Sequence, residues 1–162
     1  MNRVDKENYY LDIAQTVAER STCLRRRFGA IIVANDSIIS TGYNGAPRGR
    51  QNCSDLQSCI RDKLNIPRGE RYEMCRSVHA EMNAIIAASR EQTLGATLYM
   101  VCTSPKDGSV LPGTSSCMMC KRVVINAGIK NVVVRDTPTE YRVINVEDWI
   151  TDDDSLSGIF GY

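Results

Sequence analysis

The chain has 162 residues and a formal net charge of +1, with 43% hydrophobic and 24% charged residues. This length suits one domain around one core, and the composition is that of an ordinary globular protein. The near-neutral balance excludes a global field drawing the molecule onto nucleic acid or a membrane surface, so any anionic ligand must be held by local basic residues.

The opening Met1-Asn2-Arg3-Val4-Asp5-Lys6-Glu7-Asn8 has no apolar core of a secretory signal, and no apolar run reaches the length of a membrane span. A cytoplasmic protein is expected. Its seven cysteines are then reduced, and clustered thiols are read as metal ligands rather than disulfides. Tyr10, Ile13, Ala14, Val17 and Ala18 recur at helical spacing and predict a first helix over residues 5–20. Residues 28–34 and 37–43 are apolar and β-branched, and Asn35-Asp36 between them predicts a hairpin. Asn44-Gly45-Ala46-Pro47 then breaks the strand pattern. Residues 48–77 are polar and aperiodic and contain Cys53, Cys59 and Cys75; so long an irregular stretch is functional or is held by something. A helical face starts near His79 and continues through Met82, Ile85, Ile86 and Ser89. A strand over 96–103, a loop over 105–115, a helix over 117–127 stopped by Gly128 and a strand over 131–135 follow. A further strand over 141–146 and a short helix over 147–150 precede a tail, 151–162, that is either loose or docked on a neighbouring subunit.

The order predicts a three-layer α/β/α sandwich around a mixed five-stranded sheet, with parallel crossovers in the second half. One domain spans residues 1–162: a catalytic core over about 5–135 and a C-terminal extension over 136–162.

The chemistry concentrates in two short motifs. His79, the single histidine, stands two residues before Glu81, and Cys117-Met118-Met119-Cys120 supplies two thiols. One imidazole and two thiolates are the ligand count of a catalytic zinc that keeps one position open. Each ligand falls at a predicted helix N-terminus, where the helix dipole favours thiolate. Zinc lowers the pKa of a bound water to roughly 7, and Glu81 is the carboxylate that would carry its proton to a ring nitrogen and then to a leaving amine. Alone, a C-x-x-C is often a redox pair or half of a structural zinc site. Together, H-x-E and C-x-x-C form the zinc deaminase signature.

At this level the chain resembles the deoxycytidylate (dCMP) deaminases of the cytidine deaminase-like superfamily. The resemblance is carried by Arg20-Ser21-Thr22-Cys23-Leu24-Arg25, Gly29-Ala30-Ile31-Ile32-Val33, Ser40-Thr41-Gly42-Tyr43-Asn44-Gly45-Ala46-Pro47, Val78-His79-Ala80-Glu81-Met82-Asn83-Ala84-Ile85, Gly95-Ala96-Thr97-Leu98-Tyr99 and Ile125-Asn126-Ala127-Gly128-Ile129-Lys130. It implies conversion of dCMP to dUMP. It implies that Arg25 lies near the phosphate, that Asn44 bonds the deoxyribose and that the Ala80 backbone N–H meets the pyrimidine carbonyl. It also implies a hexamer, with dCTP and dTTP as effectors. Two departures stand out: Ser116 occupies the place of the family's proline before the first cysteine, and residues 106–115 form a longer connection. Ser116 is expected to cap the helix instead.

Four cysteines, Cys23, Cys53, Cys59 and Cys75, flank the irregular stretch and suit a second, structural zinc; scattered free thiols are the alternative. Arg26 and Arg27 serve equally as phosphate ligands or as a solvated helix end, and Arg48 and Arg50 are weaker candidates. Cys102 is expected in the core, and Tyr43, Tyr72 and Tyr99 stack on a ligand or fill the interior. The rival functions are a deaminase of a free base, a nucleoside or a tRNA adenosine, and a catalytically silent zinc module that binds nucleotides or partners.

Overall fold

The computed structural model describes residues 2–158; the last four residues of the expected tail, 159–162, lie outside them. Helix α1 runs Lys6–Ala18. It starts where Asp5 accepts the Asn8 N–H at 2.9 Å, which satisfies one of the orphan donors of the first turn. Strands β1 (Arg27–Ala34) and β2 (Ser37–Tyr43) form the expected hairpin. Asn35 and Asp36 both adopt positive φ, the geometry that matches a tight turn to strand twist. Strands β3 (Thr97–Thr103), β4 (Asn131–Arg135) and β5 (Tyr141–Asn145) complete a five-stranded sheet of order β2-β1-β3-β4-β5.

Only β3 and β4 pair in parallel; the other neighbours are antiparallel. The β3–β4 connection carries helix α6 (Met118–Asn126), whereas the turn before β5 is too short for a crossover and reverses the chain. The sheet is thus mixed, as expected.

Period-two alternation along the central strands builds the three layers. Ile31, Val33, Tyr99, Val101 and Val133 bury against Tyr10, Leu11 and Ala14 of α1. Ala30, Ile32, Leu98, Met100, Val132 and Val134 face the other way, onto Ala80 and Ala84 of helix α4 (Ala80–Ile86) and Val124 of α6. Fully burying each of the valines, leucines, isoleucines and the methionine contributes roughly 1.5–3 kcal/mol. Arg135 ties the first layer to the sheet: it is 2% exposed and pairs with Asp12 at 2.8 Å and Gln15 at 2.9 Å.

Three expectations need correction. The helical face from His79 does not reach Ser89. Helix α4 stops at Ile86, which is largely exposed, because Ser89 and Gln92 form a capping box that opens a new helix, α5 (Arg90–Thr93). Residues 48–77 are not wholly irregular: they contain one-turn helices α2 (Cys53–Leu56) and α3 (Ile60–Lys63) and a 3-10 turn over Tyr72–Met74. Finally, Cys117 rather than Ser116 caps α6, its sulfur accepting from the Cys120 N–H. The short terminal helix, α7 (Val146–Thr151), follows β5 directly, capped by Asn145.

Gly42 decides how closely α4 approaches the sheet. A Cβ there would drive into the backbone of Ala80 and Ala84, and Ser40 Oγ, two residues earlier, already bonds the Ala84 carbonyl at 2.7 Å. Gly42→Ala therefore forces α4 outward. We expect a loss of stability of about 1–3 kcal/mol in urea titration, accompanied by loss of bound metal, because α4 begins at His79. A G42A protein with unchanged stability and metal content would show that the close contact is unimportant.

Candidate metal centre and substrate pocket

The backbone fixes both halves of the site at helix N-caps. His79 is the N-cap of α4 and its side chain makes no capping bond, which leaves the ring free for other partners. The preceding residue is locked to the end of the hairpin: Val78 and Gly45 exchange backbone hydrogen bonds of 2.8 and 3.3 Å. Asn83 adds a side-chain bond to the Tyr43 carbonyl at 2.8 Å.

His79 Nδ1 lies 3.3 Å from Cys120 Sγ and 3.4 Å from Cys117 Sγ, and the three ligand atoms fall within 4.8 Å of one another. A tetrahedral zinc with the usual Zn–S and Zn–N distances separates nitrogen and sulfur by about 3.5 Å. The residues therefore fit zinc, with one position left for an exchangeable ligand.

The local electrostatics favour a cation. Hydrogen bonding from Cys120 and His79 holds the Cys117 thiol well below its ordinary pKa, down to about 4. Bonding to Cys117 and burial push Cys120 upward. Burial opposes the charged form of His79, yet bonds to Cys117 and Cys75 and the charge of Glu81 outweigh it and raise the ring to about 10. Glu81 is 4% exposed. Burial raises its carboxyl above the ordinary range, partly opposed by His79. A carboxyl whose protonated form is favoured in this way is suited to proton transfer.

His79, Glu81 and Cys117 line a cleft open to solvent, the kind of concave site in which small ligands bind. Among the described residues, four arginines, Arg25, Arg26, Arg61 and Arg68, line it, with Glu81 as its one carboxylate. Arg25 and Arg26 each bury an Nη1 with no hydrogen-bond partner. Arg27 does not border the cleft, nor do Arg48 and Arg50. Ala80 does, in the first turn of α4, where backbone N–H groups lack helical acceptors.

Asn44 also borders the cleft, but most of its amide is spent on the fold. Oδ1 accepts from Ser21 Oγ at 2.5 Å and Phe28 N at 2.9 Å, and Nδ2 donates to the Arg26 carbonyl at 3.0 Å. One Nδ2 hydrogen remains for a ligand. Ser116 is fully buried and its hydroxyl has no hydrogen-bond partner; Ser115 is the serine that lines the cleft. Cys102 is fully buried, as expected. Of the tyrosines, Tyr72 reaches the cleft, while Tyr99 packs on Tyr10. Arg61, Arg68 and Ser77 were not foreseen. They come from the aperiodic stretch, where charge without period leaves no signal of direction.

Residues 4–136 match the model of the cytidine and deoxycytidylate deaminase zinc-binding region. The chain belongs to that family. A deoxycytidylate deaminase of Mycobacterium phage D29 is 36% identical over 138 residues, covering 82% of this chain and 96% of that protein. One from Schizosaccharomyces pombe is 34% identical over 127 residues, covering 78% of this chain; the match spans only 36% of the yeast protein's length. The apo crystal structure of dCMP deaminase from cyanophage S-TIM5 superposes with a TM-score of 0.54 at 27% identity, covering 81% of this chain and 82% of that one.

The clustered ligands lead to a direct expectation. Purified protein carries zinc, and His79→Ala loses the catalytic ion by elemental analysis of the folded variant. Zinc retained in full by H79A would remove His79 from the ligand set.

Proposed function

We propose that this protein is a zinc-dependent deaminase that hydrolyses dCMP to dUMP and ammonia. The observation that carries the reading is the His79–Cys117–Cys120 cluster beside buried Glu81 in an arginine-lined cleft. The deoxycytidylate deaminases similar to this chain support the choice of substrate.

Zinc held by His79, Cys117 and Cys120 would supply Lewis-acid activation of water at the ring carbon. The Ala80 N–H, at the start of α4, donates to the pyrimidine carbonyl and fixes the ring against the metal ligands. Glu81 takes a proton from the attacking water and delivers it to the ring nitrogen. It then moves the second proton to the exocyclic amine, which leaves as ammonia. Burial around Glu81 keeps bulk water from competing for these protons. Asn44 offers its remaining N–H to the deoxyribose, and Arg25 meets the phosphate. The buried Ser116 hydroxyl lies near the Glu81 carboxyl and, having no hydrogen-bond partner of its own, would donate to it.

Glu81→Gln keeps the shape of the site and removes the proton carrier. Turnover falls by about 100-fold or more while zinc content is unchanged; full activity in E81Q would refute the proton route. Purified enzyme releases ammonia from dCMP far faster than from deoxycytidine, CMP, dCTP or cytosine. No preference for dCMP over deoxycytidine would sink the nucleotide assignment.

A second, structural zinc on Cys23, Cys53, Cys59 and Cys75 belongs to the same reading. The four thiols are neighbours: Cys53 is pushed up by burial and by the proximity of the other three. Backbone N–H groups two residues on point at the sulfurs of Cys23 and Cys75, at 3.4 Å each. Among the described residues these sulfurs are less tightly gathered than the His79 cluster, so the metal would draw them in. Two zincs per chain in the wild type and one in Cys53→Ser is the expected count; one in both would leave the catalytic ion alone.

The family resemblance further supports a homo-hexamer regulated by dCTP and dTTP, and the near-neutral charge and the signal-free opening support a cytoplasmic protein without nucleic-acid partners. No helix among the described residues is long and apolar enough to cross a membrane. Light scattering, and the dCMP assay repeated with each effector, test assembly and regulation together.

A further inference from the structure

Deamination chemistry leaves one buried cation of the cleft unexplained. Arg61, on the one-turn helix α3, is 5% exposed. Its Nη2 donates to the carbonyls of Pro67 at 2.7 Å and Glu70 at 2.8 Å. Among the described residues it has no ion pair with a carboxylate, and its Nε is buried without a partner. Glu73 lies near enough to feel its charge but makes no ion pair with it, and a buried guanidinium bonded to neutral carbonyls carries a desolvation cost that a bound anion would offset.

Its position says where that anion sits. The guanidinium carbon lies 4.2 Å from the centroid of the Tyr72 ring. Tyr72 in turn meets His79 edge-on, with centroids 5.4 Å apart and planes at 84°. The three side chains form a ladder along one wall of the cleft, with the cation less than about 10 Å from the imidazole of the metal cluster. The phosphate of a nucleoside monophosphate stands at a comparable distance from its own base. Asp62, the next residue along α3, pairs with Arg25 Nε at 3.2 Å, so one short helix holds two guanidiniums beside the same space. Arg25 Nη1 is buried there without a partner as well.

We propose that Arg61 is a specificity-determining ligand for the substrate's phosphate, acting with Arg25, and that Tyr72 is the wall along which sugar and base lie between phosphate and metal. The inference rests on the monophosphate reading above and adds to it the residue that makes the phosphate matter. The competing role for Arg61 is a purely structural staple of the 67–70 turn.

Arg61→Met keeps length and apolar stem while deleting the charge. The quantity to read is kcat/KM for dCMP divided by kcat/KM for deoxycytidine, with zinc content and Tm measured on the same protein. R61M lowers the ratio by roughly 30-fold or more, mainly through KM for dCMP. Arg61→Lys, with charge but no planar fork, recovers part of it. A staple would depress both substrates alike, together with Tm, and leave the ratio unmoved; that result, or no change at all, overturns the proposal. If R61M does not fold, R61K decides on the same ratio, a several-fold drop being expected. Wild-type protein that holds zinc but deaminates neither compound defeats the functional reading. In that event calorimetric binding of inorganic phosphate, weakened in R61K, still supports the anion site, and equal binding in both overturns it. A wild-type preference for dCMP with an unmoved ratio in both variants defeats only the inference about Arg61.

Discussion

The structure depends on two helix N-caps meeting. His79 caps α4 and Cys117 caps α6, and both helices lie on the same face of the sheet. An N-cap residue has extended backbone angles, so its side chain projects off the helix end, where first-turn N–H groups lack helical acceptors. Bringing two such ends together gathers ligand atoms, helix dipoles and spare donors at one point. Cys120 joins because it is one turn into α6, on the side of its own cap. The rest of the fold supplies the supports: Gly42 for the close seat of α4, the Gly45–Val78 bridge for its start, and parallel β3–β4 pairing for the placement of α6.

This arrangement explains why the gathering of His79, Cys117 and Cys120 could be read in the sequence. H-x-E and C-x-x-C are local patterns whose geometry is set by one helical turn each, and the single histidine left no choice of imidazole. The central strands were equally legible, since alternating apolar residues on both faces describe a sheet covered twice. What failed was legibility at chain punctuation. Ile85 and Ile86 prolonged a helical period that the Ser89–Gln92 capping box had already ended. Ser116 looked like a cap, but the neighbouring sulfur took that place and the serine turned inward.

The wall of the cleft was less legible for a different reason. Arg61 is placed by bonds to Pro67 and Glu70 and by stacking on Tyr72. Those contacts arise within an aperiodic stretch, and their direction is set by turns rather than by a repeating face. Asn44 shows the converse. Its position in a recognisable motif suggested a ligand contact, yet the structure spends most of its amide joining the end of β2 to the segment that carries Arg25 and Arg26. A residue can thus shape a binding site chiefly by holding the backbone that presents other side chains.

The distribution of charge across the cleft is itself an argument about orientation. Arginines and Glu81 share one space, but the carboxyl is among the most buried groups there, while Arg25, Arg26 and Arg68 are more exposed. A ligand with a neutral ring and an anionic end has one favourable way to enter: ring toward the metal ligands, anion toward the guanidiniums. Reversed, it would bring its anion against the carboxylate and forgo the guanidiniums, a double penalty in a medium less polar than water. Orientation then follows from where charge has been buried, before any contact to the base is made. The same burial gives Glu81 its raised pKa, so a single feature, the burial of the carboxyl apart from the more exposed Arg25, Arg26 and Arg68, both aims the substrate and prepares the group that would move its protons.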